Sequence, residues 1–274
     1  MIGAIISFTT MAIAGRAAAL DLDTFEIMLF RSITGLAIVL IVGWHTGQLT
    51  RIKATFLRKH FIRNICHFTG QNLWFFAITV VPLAQVFALE FTTPIWVLLL
   101  SPLLLSEKIT RASIITALVG FMGVILVTQP GVATLNLGVA AAAGAAIAFA
   151  LTAIFTRQLT QQVPLISILF YLTAMQCVFG LVAAGIDGDI AFPTSQTLHW
   201  VVIIGIAGLS AHFCLTTALS KAPASFVMPI DFARLPVIIC VGYLLYDEAI
   251  NIGTIVGAIA IFTANYVNIR GNRQ

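Results

Sequence analysis

Apolar runs of about 20 residues succeed one another along nearly the whole chain, separated by short stretches rich in charges, Pro/Gly turns or polar clusters. They predict spans near residues 1–19, 25–46, 61–80, 83–105, 111–129, 135–156, 163–185, 199–219, 223–246 and 250–268. At a helical rise of about 1.5 Å per residue, each run is long enough to cross a hydrocarbon core about 30 Å thick. Uninterrupted runs of this kind suit helices, which satisfy their own backbone groups in lipid, and not the alternating strands of a barrel. The predicted fold class is all-α integral membrane, with ten transmembrane helices. Residues 1–19 lack a basic leader region and a small-residue cleavage site, so they are expected to stay as the first span.

Composition agrees with the pattern: 60% of the 274 residues are hydrophobic and 9% charged, against about a quarter charged in soluble domains. The expected solvent is therefore the lipid bilayer. The net charge of +4 does not point to nucleic acid, because Lys and Arg collect in cytoplasmic loops for topological reasons. The four cysteines, Cys66, Cys177, Cys214 and Cys240, sit inside apolar spans without metal-ligand or CxxC spacing. No metal, disulfide or cofactor is expected.

Basic residues set the orientation. Arg51, Lys53, Arg58, Lys59 and Arg63 fall between the second and third spans; Lys108, Arg111, Arg157, Lys221, Arg270 and Arg273 fall at later ends on the same side. The opposite loops carry Asp21, Asp23, Asp187, Asp189 and Asp247. Both termini are then cytoplasmic, in keeping with an even number of spans.

The chain also repeats itself. The segment from Val81 aligns without a gap to that from Ala222, matching Pro82 with Pro223, Glu90 with Asp231, Phe91 with Phe232, Glu107 with Glu248 and Ile109 with Ile250. The register extends forward to Phe121 and Phe262, and backward to Gln71 and His212. Two units follow, 1–130 and 131–274. Five spans in each is an odd number, so the second must be inverted relative to the first. Inverted five-helix repeats are typical of secondary transporters, in which two halves rock around a midplane site.

The Phe30-Arg31 pair, the Pro82–Pro94 segment, LLLSEKIT around Glu107, Gly120-Phe-Met-Gly123 and YLLYDEAIN around Glu248 together resemble the drug/metabolite transporter superfamily, and within it the EamA-type ten-helix carriers. The resemblance spans essentially the whole chain. It implies a multi-pass protein of the bacterial inner (plasma) membrane that carries a small molecule such as an amino acid, vitamin, nucleotide-like metabolite or drug. It also implies a cavity lined by the first, third, fourth, sixth, eighth and ninth spans, with the fifth and tenth outside, sometimes at a homodimer contact.

Ionisable side chains inside the spans are the first candidates for chemistry, since a charge in lipid faces a cavity or another charge. They are Arg16, Arg31, Glu90, Asp231 and Arg234. A desolvated carboxylate can exchange a proton near neutral pH, which makes Glu90 and Asp231 candidates for proton coupling. Arg234 stands three residues from Asp231 on one helix face and could equally lock it in an ion pair. Arg31 or Arg16 could hold an anionic substrate group through two parallel hydrogen bonds. Alternatively, Arg31 braces helices and Arg16 snorkels to the interface. Gln71, Asn72 and Trp74, with His212, are candidate cavity residues or interhelical hydrogen-bond formers; Trp74, Trp96 and Phe75 could stack on a ring. Glu107 and Glu248, ending matched spans, are gate candidates. Pro94, Pro102, Pro229 and Pro236 predict kinks.

No HExxH, GxSxG, Walker A or GxGxxG sequence is present, so an enzyme is not expected. The expected function is a secondary transporter working by alternating access, possible proton coupling included, with a channel or a non-transporting scaffold as the alternative.

Overall fold

The computed structural model of the protein describes residues 1–106, 111–128, 136–186 and 188–271. The gate candidate Glu107, with Lys108 and the loop residue Asp187, lies outside the described residues. Those described form twelve α-helices and no strand: α1 (Ile2–Ala18), α2 (Thr24–His45), α3 (Leu57–Val80), α4 (Leu83–Glu90), α5 (Thr93–Leu104), α6 (Arg111–Thr128), α7 (Leu137–Thr160), α8 (Leu165–Ala184), α9 (Leu198–Lys221), α10 (Ala224–Ile230), α11 (Arg234–Tyr246) and α12 (Ile252–Gly271). Six stretches are long and apolar enough to cross a membrane, and three shorter apolar helices accompany them. Among the long helices α3 is absent from that set, and it carries much of the buried polar chemistry.

Two of the expected continuous spans are broken. The run 83–105 divides into α4 and α5. Pro94 has no N–H, and its ring opposes the carbonyl four residues back, that of Glu90; the Thr92 hydroxyl caps the Leu89 carbonyl at 2.8 Å instead. The run 223–246 divides into α10 and α11 around a 3-10 turn, Asp231–Ala233. Periodicity does not reveal these breaks, because the apolar pattern continues across both. Each break falls at a carboxylate.

Local signals fix the ends of other helices. Asp23 and Glu26 form a reciprocal capping box at the start of α2. Glu26 also accepts the Ala191 N–H at 2.5 Å, and Asp21 accepts the Thr194 hydroxyl at 2.8 Å. Asp21, expected in a loop, and Glu26, in the first turn of α2, thus tie the α1–α2 turn to the segment before α9. At the end of α11, Asp247 adopts a left-handed conformation, φ 52°. The turn folds Glu248 back so that its N–H donates to Gly242 O at 3.1 Å. A Cβ on Gly242 would stand 2.5 Å from the Glu248 carboxylate, so a larger residue there would require that carboxylate to shift.

Packing pairs helices from opposite halves of the chain: α1 with α9, α2 with α8, α3 with α7, α4 with α11, α5 with α10 and α6 with α12. The alanine run of α7 buries Ala141, Ala142, Ala145, Ala146 and Ala150, small side chains that let neighbours approach. Between α6 and α12 the backbones themselves meet, for a Cβ on Gly257 would lie 2.5 Å from the Gly123 carbonyl. The principal core runs from Met11, Ile27 and Met28 through Trp74, Phe75 and Phe87 to Phe232 and Ile238. Outward faces carry Ile41, Trp44, Leu103, Val182 and Ile259, as lipid-facing surfaces should.

Candidate functional site: a buried polar cavity

A cavity lies where α1, α3, α7 and α9 meet the broken helices, and the breaks present their carboxylates to it. Arg234 Nη2 donates to Glu90 Oε1 at 2.6 Å and to Asp231 Oδ2 at 2.5 Å. Trp74 Nε1 donates to the other Glu90 oxygen at 2.8 Å. The guanidinium lies over aromatic rings, with Cζ 4.9 Å from the Phe8 centroid and 4.7 Å from that of Phe87. One arginine therefore serves two acids from different helices. Asp231 Oδ1 and Arg234 Nε have no hydrogen-bond partner although buried.

Toward the opposite end, Gln71, His67 and Arg63 follow one another down a single face of α3, met by His212 from α9 and Thr152 and Thr156 from α7. The rings of His67 and His212 meet edge to face, with centroids 4.5 Å apart. Arg63 is 1% exposed; its Nε donates to Thr156 Oγ1 at 3.1 Å and its Nη1 to Asn64 Oδ1 at 2.7 Å.

Glu90, Asp231, Arg234, Gln71, Trp74 and His212 all line this cavity. Arg31 stands behind it, buried, donating to Gln71 Oε1 and braced by Met28 Sδ at 3.5 Å. Asn72 turns its amide to the Phe68 carbonyl at 2.8 Å and does not line the cavity. Trp96 is 36% exposed and also stands apart.

Arg16 is elsewhere again, at the end of α1 remote from Met1. Its Nη1 pairs with Glu248 Oε1 at 2.8 Å, its Nε donates to Ile78 O at 2.5 Å and its Nη2 to Val81 O at 2.8 Å. Glu248 also accepts the Leu83 N–H at 2.9 Å, and the Tyr246 ring covers the guanidinium at 4.5 Å. Arg16 and Glu248, from opposite ends of the sequence, thus bind α1, α3, α4 and α11 together.

Arg63 follows Arg58 and Lys59 and so reads as one of the charges between the second and third spans, and His67 has no metal-ligand spacing to single it out. A signal existed: His60, Arg63, His67, Gln71 and Trp74 recur at the three- and four-residue spacing of one helix face.

The EamA-like transporter family profile matches twice, over residues 1–129 and 136–270. The S-adenosylmethionine uptake transporter of Rickettsia bellii is 25% identical, with 92% of this chain and 86% of that protein covered. The riboflavin transporter of Brucella anthropi is 28% identical, covering 86% of this chain and 84% of the relative. A solved crystal structure sharing 17% identity superposes with a TM-score of 0.78 over 97% of this chain and 93% of its own, a likeness of fold. The relatives are bacterial, and the apolar helices mark a multi-pass protein of the inner-membrane type. The chain belongs to the EamA-like transporter family: it is a small-metabolite transporter and not an enzyme.

Proposed function

We propose that the protein is an alternating-access carrier built from two inverted five-helix repeats, with ten membrane crossings and both termini cytoplasmic, and that the buried cavity holds its substrate. The observation that carries this reading is the symmetry of the cavity wall. The spacing that takes Val81 to Ala222 also takes Phe8 to Phe149, Gln71 to His212 and Glu90 to Asp231, and all six line the cavity. In this reading a pocket lined by repeat-related pairs sits on the axis relating the halves, where rocking transporters bind their cargo. The helix pairings obey the same relation, and the left-handed turns at Ser106 and Asp247 are also one repeat apart.

In this reading Arg16 and Glu248 form a closed gate at the end remote from Met1, which favours a carrier over an open channel. Glu90 and Asp231 share Arg234 in the closed state; substrate or a proton competes for the carboxylates as the halves move. The relatives named for S-adenosylmethionine and riboflavin support a ring-bearing metabolite of vitamin or nucleotide-like kind.

Counterflow into proteoliposomes tests the reading. Vesicles preloaded with unlabelled riboflavin or S-adenosylmethionine are expected to accumulate the labelled compound transiently, with a rate that depends on pH. Glu90→Gln should remain folded and lose the pH dependence. Unchanged pH dependence in that variant would remove Glu90 as the coupling group, and flux without counterflow would favour a channel.

A further inference from the structure

Most of the cavity wall obeys the repeat, but the end on the side of Met1 does not. Arg63 and His67 correspond by register to Ile204 and Gly208, so neither has a polar counterpart in the second half. Arg63 is buried, yet its hydrogen bonds go to Thr156 and Asn64, both neutral. Among the described residues no carboxylate pairs with it, nor with Arg31 behind it. Both ring nitrogens of His67, and Nε2 of His212, are buried without a hydrogen-bond partner. A buried cation or N–H left this way costs stability unless something completes it. Around the group stand the rings of Phe8 and Phe149: Phe8 meets the His212 ring edge to face at 5.9 Å, and Phe149 lies 6.3 Å from His67.

We propose that this asymmetric end is a carboxylate subsite. The Arg63 guanidinium takes the carboxylate of a solute, N–H groups of His67 and His212 complete its hydrogen bonds, and the solute's flat ring rests against Phe8 and Phe149. A carboxylate fits better than a phosphate, whose charge of about −1.5 to −2 would exceed that of Arg63, the one of the two guanidinium groups in the wall that no described carboxylate pairs with. Arg31 positions Gln71 from behind and does not touch the solute. Calling that solute the substrate rests on the carrier reading, but the subsite can be tested without transport.

The test uses a matched pair of flat-ringed probes, indole-3-acetate and indole-3-acetamide, titrated into the detergent-purified protein by equilibrium binding. The acid should bind about tenfold more tightly than the amide, the scale of one charge-assisted hydrogen bond. Arg63→Gln should bring the ratio to about one, and Arg63→Lys should restore part of it. His67→Phe keeps the ring and removes the N–H, so it should lower the ratio even if Arg63→Gln does not fold. Equal binding of acid and amide, or a preference that survives Arg63→Gln, overturns the proposal. Failure to bind the acid by a protein that still shows counterflow of another solute removes the subsite and leaves the carrier. Binding of the acid that depends on Arg63, without any flux, keeps the subsite and removes the carrier.

Discussion

The two ends of the cavity region use arginine in opposite ways. At one end each guanidinium nitrogen of Arg16 has an oxygen within 2.8 Å, supplied by Ile78, Val81 and Glu248. At the other end Arg63 is more deeply buried, yet its hydrogen bonds go only to a threonine hydroxyl and an amide oxygen. A charge whose partners are all supplied by the protein fixes a shape. A charge whose partners are neutral has capacity left for a ligand. Between these ends, Arg234 binds two acids at once, and that sharing lets one acid leave without stranding the arginine.

The largest disturbance of this arrangement is Arg234→Leu. It leaves Glu90 and Asp231 together in a buried site without a cation, and removing one member of such a set costs about 3–5 kcal/mol. Thermal unfolding in detergent should show that loss, with partial recovery on adding Glu90→Gln. Retention of full stability would mean that the triad does not hold the broken helices.

Gly257→Ala separates packing from the site. Its Cβ would meet the Gly123 carbonyl, which belongs to the backbone and cannot swing aside, so a loss of about 1–3 kcal/mol is expected. The acid-over-amide binding ratio should not move, since α6 and α12 do not line the cavity. Glu248→Gln is gentler: it keeps the hydrogen-bonding shape at the Arg16 end and removes the charge, weakening the closure by about 1–2 kcal/mol. Its effect should appear in which face of the membrane reaches the cavity, more than in stability. The smallest effect belongs to Trp96→Phe, on an outward face; stability should change by less than about 0.5 kcal/mol, and counterflow should keep its rate.

Much of this was legible in the sequence because lipid imposes few solutions. Apolar runs had to become helices, and carboxylates inside them had to find a cavity or a partner. The proposed repeat register also pairs Met11 with Thr152 and Thr93 with Arg234, all four in the cavity wall. It also pairs Arg16 with Arg157, whose Nη1 donates to Leu219 O at 2.6 Å as Arg16 Nε does to the matching Ile78 O. What stayed hidden was distance and direction. Nothing local to Arg16 names Glu248 as its partner, 232 residues away; its position suits the interface first and a substrate contact second. Arg31 pointed at Gln71 and not at the cavity, a rotation that helix periodicity alone does not fix. Arg63 was masked by basic neighbours that do face the loop. The breaks in the fourth and ninth spans were hidden because apolar side chains continue across them while the backbone turns.

Cysteine labelling tests the central claim, a cavity reached from one face while Arg16 and Glu248 close the other. In a protein lacking Cys66, Cys177, Cys214 and Cys240, Ala153→Cys places one thiol in the cavity wall, to be labelled from either side of a vesicle with a membrane-impermeant reagent. Labelling is expected from the face that bears the termini alone, and from the opposite face as well once Glu248→Gln is added. Equal labelling from both faces with the pair intact, or no change on adding Glu248→Gln, would contradict it.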